Sequence, residues 1–443
     1  MSPKNRIAPP AAGLGASTSA DPYLPAHGNG GYEVRHYDLK LDWRYGGRLS
    51  GRARITAVAT AALTGFSLDL GTFRVDRVLV GGKPVRYTHG SGKLRVRAPV
   101  PAGAEFTVEI RYTGVPRAIR SHWGDVGWEE LDEGALVASQ PIGAPSWFPC
   151  NDHPADKASY RIAVTAPSPL TVVANGELVS SHAGAGATTW IYDQPEPTAT
   201  YLVTVQIGRY GLAALPGATV PQRIAVPGRL ATAAARDFGR QDQMMSAFEE
   251  LFGPYPFPAY GVVVVDEDLE VPLEAQALSI FGANHVDGRR GHERLVAHEL
   301  AHQWFGNSLT IASWQDIWLN EGFASHSEWL WSEVSGADPA RAHAARWWAR
   351  LAALPQDLLV ADPGVRRMFD DRVYRRGALT LHALRTVLGD VPFFALLREW
   401  TATHRHGTVT TAQFTALAER HSPRPLAPFF TAWLHTPTLP PLP

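Results

Sequence analysis

His298-Glu299-Leu300-Ala301-His302 sets two imidazoles four residues apart, and Glu321 follows after eighteen further residues. On an α-helix, positions i and i+4 lie one above the other, so both rings reach a single ion. Neutral imidazole nitrogen suits zinc, and a carboxylate can be the third protein ligand. His298, His302 and Glu321 therefore read as the ligands of one zinc ion per chain. Three protein ligands leave a position for water, which marks a catalytic site rather than a closed structural one. The chemistry this permits is metal-assisted hydrolysis. Glu299, adjacent to His298, cannot share the ligand face. It can reach the water as general base and pass the proton to a leaving amine; outside such a motif it would read as a solvated helix glutamate.

These residues need two helices. Val296, Leu300, Ala301, Trp304 and Phe305 suit a buried helix that Gly306 can stop. Trp314 to Ala324 reads as the approach to a second helix, with Glu321 at its start. After Gly291 the pattern is helical almost throughout, with candidates at 291–305, 320–334, 338–353, 372–388, 391–404, 411–421 and 426–435. Before it, from Tyr32 to about Tyr210, the period is two. Tyr37, Leu39, Leu41 and Trp43 alternate with Asp38, Lys40 and Asp42, and Phe106, Val108, Ile110 and Tyr112 alternate with polar residues. Gly81-Gly82, Gly90-Ser91-Gly92 and Asn175-Gly176 mark turns between such runs. This predicts an antiparallel β domain with one packed and one wet face. Val262 to Val265 reads as a short buried strand, with Ser279-Ile280-Phe281 a candidate partner beside it.

Composition narrows the class. The chain has 443 residues, 45% hydrophobic and 19% charged, enough for two or three domains with large cores. A net charge of −1 gives no basic excess for nucleic acid or an anionic membrane. No apolar run of about twenty residues could span a bilayer. The single cysteine, Cys150, forbids an intrachain disulfide, permits a reducing compartment and reads as a packing residue. No secretory signal is visible, so a cytoplasmic protein is expected, with export of a trimmed chain the alternative.

Two segments, His298 to Asn307 (HELAHQWFGN) and Trp318 to Ala324 (WLNEGFA), resemble the signatures of the aminopeptidase N-like zinc metallopeptidases, a family that includes leukotriene A4 hydrolase. The resemblance covers most of the chain, from about Tyr23 to about Trp433. It implies an α+β architecture: an N-terminal antiparallel β-sheet (saddle-like) domain followed by a thermolysin-like, mostly helical catalytic domain. The expected division is a disordered segment 1–20, a β domain 21–215 and a zinc domain 216–443. Trp433-Leu434-His435-Thr436-Pro437 resembles the family's end-of-catalytic-domain segment, so a short two-domain form is expected.

The resemblance also implies site roles. Val373-Tyr374-Arg375-Arg376-Gly377-Ala378 is similar to a Tyr-x-Lys-Gly-Ala segment, with Arg376 replacing the lysine. Tyr374 would then donate to the developing oxyanion. The family's amine-binding Gly-x-Met-Glu-Asn corresponds to Val271-Pro272-Leu273-Glu274-Ala275, which retains the glutamate alone. Glu274 would bind the substrate ammonium, with Glu270 a competitor. Pro272 has no N–H to offer a substrate backbone, and Leu273 replaces a methionine that borders the first side-chain pocket. Ser139 to Pro154 is similar to a Gln-bearing turn, which makes Gln140 a second amine contact, although its spacing is about two residues short. Glu328, seven residues after Glu321, corresponds to a position that orients a zinc histidine, and Asp316 is its rival; both could also be surface acids. The His404–His406 pair reads as surface rather than as a second metal site. The implied activity is removal of N-terminal residues from peptides with a free N-terminus. Rival readings are a zinc endopeptidase, a zinc hydrolase of another bond such as an epoxide, and a non-enzymatic scaffold.

Overall fold

The computed structural model describes residues 13–19, 21–215 and 220–443. In the first part, an eight-stranded sheet runs in the order Glu177–Ala183, Ala187–Thr198, Ala158–Pro167, Tyr32–Arg44, Arg48–Ala59, Glu105–Gly114, Arg74–Val80, Lys83–Pro84. The period of two sets its faces: Tyr37, Leu39, Leu41, Trp43, Phe106, Val108, Ile110 and Tyr112 all enter the core. Within this sheet one pairing departs from the antiparallel expectation. Ala158–Pro167 lies parallel to Tyr32–Arg44, because the two strands are far apart in sequence and need no hairpin. Smaller sheets of four and five strands complete this part.

The disorder expected for 1–20 does not hold throughout. Residues 1–12 and 20 lie outside the described residues, but Gly13–Leu14 pairs in parallel with the Leu63–Asp69 strand. The Gly15 amide continues this pairing by donating to the Gly65 carbonyl. Exposed strand-edge groups of Leu63–Asp69 find partners this way, which local composition does not reveal.

The second part opens with a five-stranded sheet ordered Tyr210–Leu215, Gln222–Pro227, Tyr260–Val264, Leu278–Phe281, Leu273–Ala275. Tyr260–Val264 and Leu278–Phe281 are parallel and wholly buried, as continuous apolar runs require. Leu273–Ala275 is an antiparallel edge strand, as Tyr210–Leu215 is at the other end. Nine helices follow among the described residues: α1 Ala231–Asp237, α2 Gln241–Phe252, α3 Glu293–Ala301, α4 Trp318–Val334, α5 Ala340–Ala352, α6 Asp371–Leu388, α7 Asp390–Thr403, α8 Thr411–Arg420 and α9 Ala427–Leu434. The seven from α3 onward fall on the seven candidate segments. Thr410 caps α8 in a reciprocal pair with Gln413, as the Thr-x-x-Gln pattern dictates.

A close helix crossing serves the site. α4 and α6 cross at Gly322 and Gly377, where a Cβ added to Gly377 would stand 2.8 Å from the Gly322 Cα. Only glycine fits both positions. The crossing brings Glu321, in the first turn of α4, near Tyr374, in the first turn of α6.

Candidate metal centre and its amine pocket

α3 carries His298 and Glu299 and ends at Ala301, so His302 stands just past the last helical turn. Both rings are buried, at 8% and 1% exposed. His302 Nδ1 lies 3.0 Å from the Phe305 carbonyl oxygen, and His298 Nδ1 lies 2.9 Å from Glu328 Oε1. A carbonyl and a carboxylate accept, so each ring donates from Nδ1 and turns its Nε2 lone pair inward. The two Nε2 atoms lie 3.5 and 3.4 Å from Glu321 Oε2. Zinc with bonds of about 2.0–2.1 Å sets tetrahedral ligand atoms about 3.3 Å apart, so this donor set fits that ion. Burial alone would raise the Glu321 carboxyl, but His302 and His298 hold it down at about 2.

Two further carboxylates crowd the same space. Glu274, Glu299 and His302 bring one ligand atom each within 4.8 Å of one another. Glu299 is 3% exposed and its Oε2 has no hydrogen-bond partner. Burial, above all, raises its pKa, opposed by the two histidines and reinforced by Glu321 and Glu328. Glu274 is pushed up to about 7, first by burial, against His302, and further by Glu321 and Glu299. It sits on the edge strand and accepts from Gln140 Nε2 at 2.6 Å. Gln140 comes from the β part, so both parts of the molecule build this pocket. Glu270, the competing candidate, is exposed in the loop before that strand.

Tyr374 is half-buried, its ring stacked at 6.4 Å from His298 with a 13° interplanar angle. Burial and the surrounding carboxylates raise its phenol well above 10, so it stays a protonated donor. Glu328 is buried, and its hydrogen bond to His298 and the Arg375 charge overcome burial to hold it at about 2. Asp316 bonds to Thr411 instead, accepting from its amide and hydroxyl. His404 packs on Trp400 and His406 on Phe257, and among the described residues the groups able to hold a metal all lie at this one site. Cys150 is buried and its thiol is raised well above its ordinary value, in keeping with a packing role.

Two functional residues escaped sequence reasoning. Gln303 accepts from the Ala277 amide and donates to the Ala275 carbonyl, while Asn307 also donates to the Ala275 carbonyl. They tie the Glu274 strand to the metal-binding segment. Their signal was a pair of amides inside an otherwise apolar stretch, buried completely in the fold.

A β part and a helical part that join around two helix-borne histidines, a third-ligand glutamate and a buried base define the class of zinc-type metallopeptidases. Within that class the chain belongs to peptidase family M1: the M1 N-terminal domain matches residues 33–202 and the M1 domain matches residues 237–433. It is similar to the M1 zinc metallopeptidase of Deinococcus radiodurans, at 32% identity, with a TM-score of 0.89, covering 96% of this chain and 99% of that one. A variant of that protein has been solved bound to a Tyr-Ser-Ala substrate. Among curated relatives, a probable aminopeptidase of Sulfurisphaera tokodaii is 26% identical over 68% of this chain and 42% of its own length. The leucyl aminopeptidase of Saccharolobus solfataricus is 24% identical over 82% of this chain and 48% of its own. The chain thus spans less than half the length of these curated relatives.

Proposed function

We propose that the chain is a monozinc aminopeptidase that hydrolyses the first peptide bond of peptides with a free N-terminus. The observation that carries this is the Glu274–Gln140 pair, a buried carboxylate within a few ångströms of the metal residues and free of any cationic side-chain hydrogen bond. Three carboxylates, Glu274, Glu299 and Glu321, share the pocket. A divalent ion and one substrate ammonium together bring three positive charges to match them.

Zinc bound by His298, His302 and Glu321 would supply Lewis acidity toward the scissile carbonyl and the attacking water. Glu274 holds the substrate ammonium, and Gln140 keeps its Oε1 available as a second acceptor while its Nε2 stays on Glu274. This anchors the N-terminus and sets the reach to the first carbonyl. Glu299 takes the proton of the attacking water through its unpartnered oxygen and returns it to the leaving amine. Tyr374 donates to the oxyanion. Among the described residues no helix is long and apolar enough to cross a membrane. A role in cytoplasmic peptide catabolism accords with the near-neutral charge and the buried lone thiol.

The deciding experiment compares aminoacyl-fluorophore amides with their N-acetylated forms, with and without a chelator. Chelator-sensitive cleavage of the free-amine set alone is expected. Equal cleavage of the acetylated set would remove Glu274 from its role and favour an endopeptidase.

A further inference from the structure

The Glu328 carboxylate that orients His298 is itself held from behind. Arg375 Nη1 lies 3.2 Å from each Glu328 oxygen. Its Nε donates to Asp371 at 3.1 Å, and its guanidinium lies 4.5 Å over the Trp347 ring of α5. The Arg375 side chain is 10% exposed and that of Glu328 6%. Arg294 also reaches Glu328, at 3.4 Å, but with a side chain 57% exposed, where an ion pair constrains little. We propose that Arg375 is a positioning residue that pins Glu328 against His298 and so presets the zinc site. A buried carboxylate with a single histidine contact could turn toward Arg294 and the surface. Arg375, itself buried and stacked on the Trp347 ring, denies it that rotation. α6 thereby supplies two parts of the site from adjacent residues, the Tyr374 phenol facing the substrate and the Arg375 brace facing the ligand. The inference rests on the zinc reading of His298, His302 and Glu321.

The test measures zinc affinity by chelator competition in the full chain, for the wild type, R375M, R375K, E328Q and the R375M/E328Q double variant. The visible spectrum of the cobalt-substituted protein reports ligand geometry in parallel. R375M should bind zinc about tenfold more weakly, in line with losses at residues behind metal ligands. R375K should fall between, because a lysine keeps the charge but has no planar fork. In the E328Q background, R375M should cost almost nothing further, since its effect runs through Glu328. The cobalt bands should shift in R375M as they do in E328Q. Wild-type affinity in R375M and R375K, or an equal loss on both Glu328 backgrounds, would overturn the proposal. If R375M does not fold, R375K carries the test alone. A wild-type protein that binds no zinc would instead overturn the site reading.

Discussion

At the scale of single residues, the pocket separates three carboxylates by their partners. Glu321 is held ionised by two histidines, Glu274 is met by an amide, and one oxygen of Glu299 is met by nothing. The last arrangement suits a base whose partner is a transient water. Glu299→Gln keeps the shape and removes the proton acceptor. We expect kcat to fall by about 10²–10⁴-fold, with zinc still bound one per chain by metal analysis. Retained turnover in the loaded variant would sink the assigned base. Glu274 gives a second prediction with a definite sign. Burial raises its pKa to about 7 without the metal ion, and the charge of a bound divalent ion lowers it from there. The substrate ammonium loses its own proton near a pKa of about 7.7–8.0. kcat/KM for free-amine substrates should therefore be bell-shaped, falling on the acid side below pH about 7 as Glu274 takes up its proton. An acid limb that stays unchanged in Glu274→Gln would show that Glu274 does not set it.

At the scale of elements, what was legible follows from what is local. The His298–His302 spacing and the apolar face of α3 lie within a few turns, so helical period alone places two ligands. The alternation in Tyr32–Arg44 places a whole sheet face in the same way. The parallel partnership with Ala158–Pro167 was not legible, because it joins strands far apart in the chain. Arg375 was visible only as a letter beside Tyr374, since its partner Glu328 lies on another helix, 47 residues away. Gln140 and Glu274, 134 residues apart, needed a family resemblance to be placed together. The α4–α6 crossing is likewise tertiary, and it can be tested. Gly377→Ala would set a methyl 2.8 Å from the Gly322 Cα. Overpacking of this kind costs about 1–3 kcal/mol, read as a lowered melting temperature. It should also lower kcat more than it raises KM, because relief of the clash moves α6, and with it Tyr374, away from α4. A variant as stable and as active as the wild type would show that the crossing has slack.

At the scale of the whole molecule, the amine pocket exists only while the two parts stay in register. Gln140 reaches Glu274 from the β part, and a second anchor holds that alignment at a distance. The ammonium of half-buried Lys157, just before Ala158–Pro167, donates to the carbonyls of Asn307 and Ser308 at 2.9 Å and of Gly407 at 3.3 Å. Asn307 is also, with Gln303, one of the two residues that tie the Glu274 strand to the metal-binding segment. One junction therefore bears on both the inter-part seam and the amine pocket. Burial lowers the Lys157 pKa, whereas the three carbonyls can be met together only by the charged ammonium, so the group stays in place by filling all three. Lys157→Met retains most of the stem and removes the donors. Thr310 still donates to two of these carbonyls, through its hydroxyl to Asn307 and its amide to Gly407, so the loss falls chiefly on the Ser308 carbonyl, at about 1–3 kcal/mol, softened where water enters. Calorimetry should show a lower transition that broadens or splits as the two parts begin to melt separately. In kinetics, KM for free-amine substrates should rise as Gln140 drifts from Glu274, with kcat changed less, because the metal residues and Glu299 all lie within the helical part. A Lys157→Met protein that melts as one sharp transition at the wild-type temperature would mean that the remaining contacts, such as Asn175 to the Gln276 carbonyl, already set the alignment.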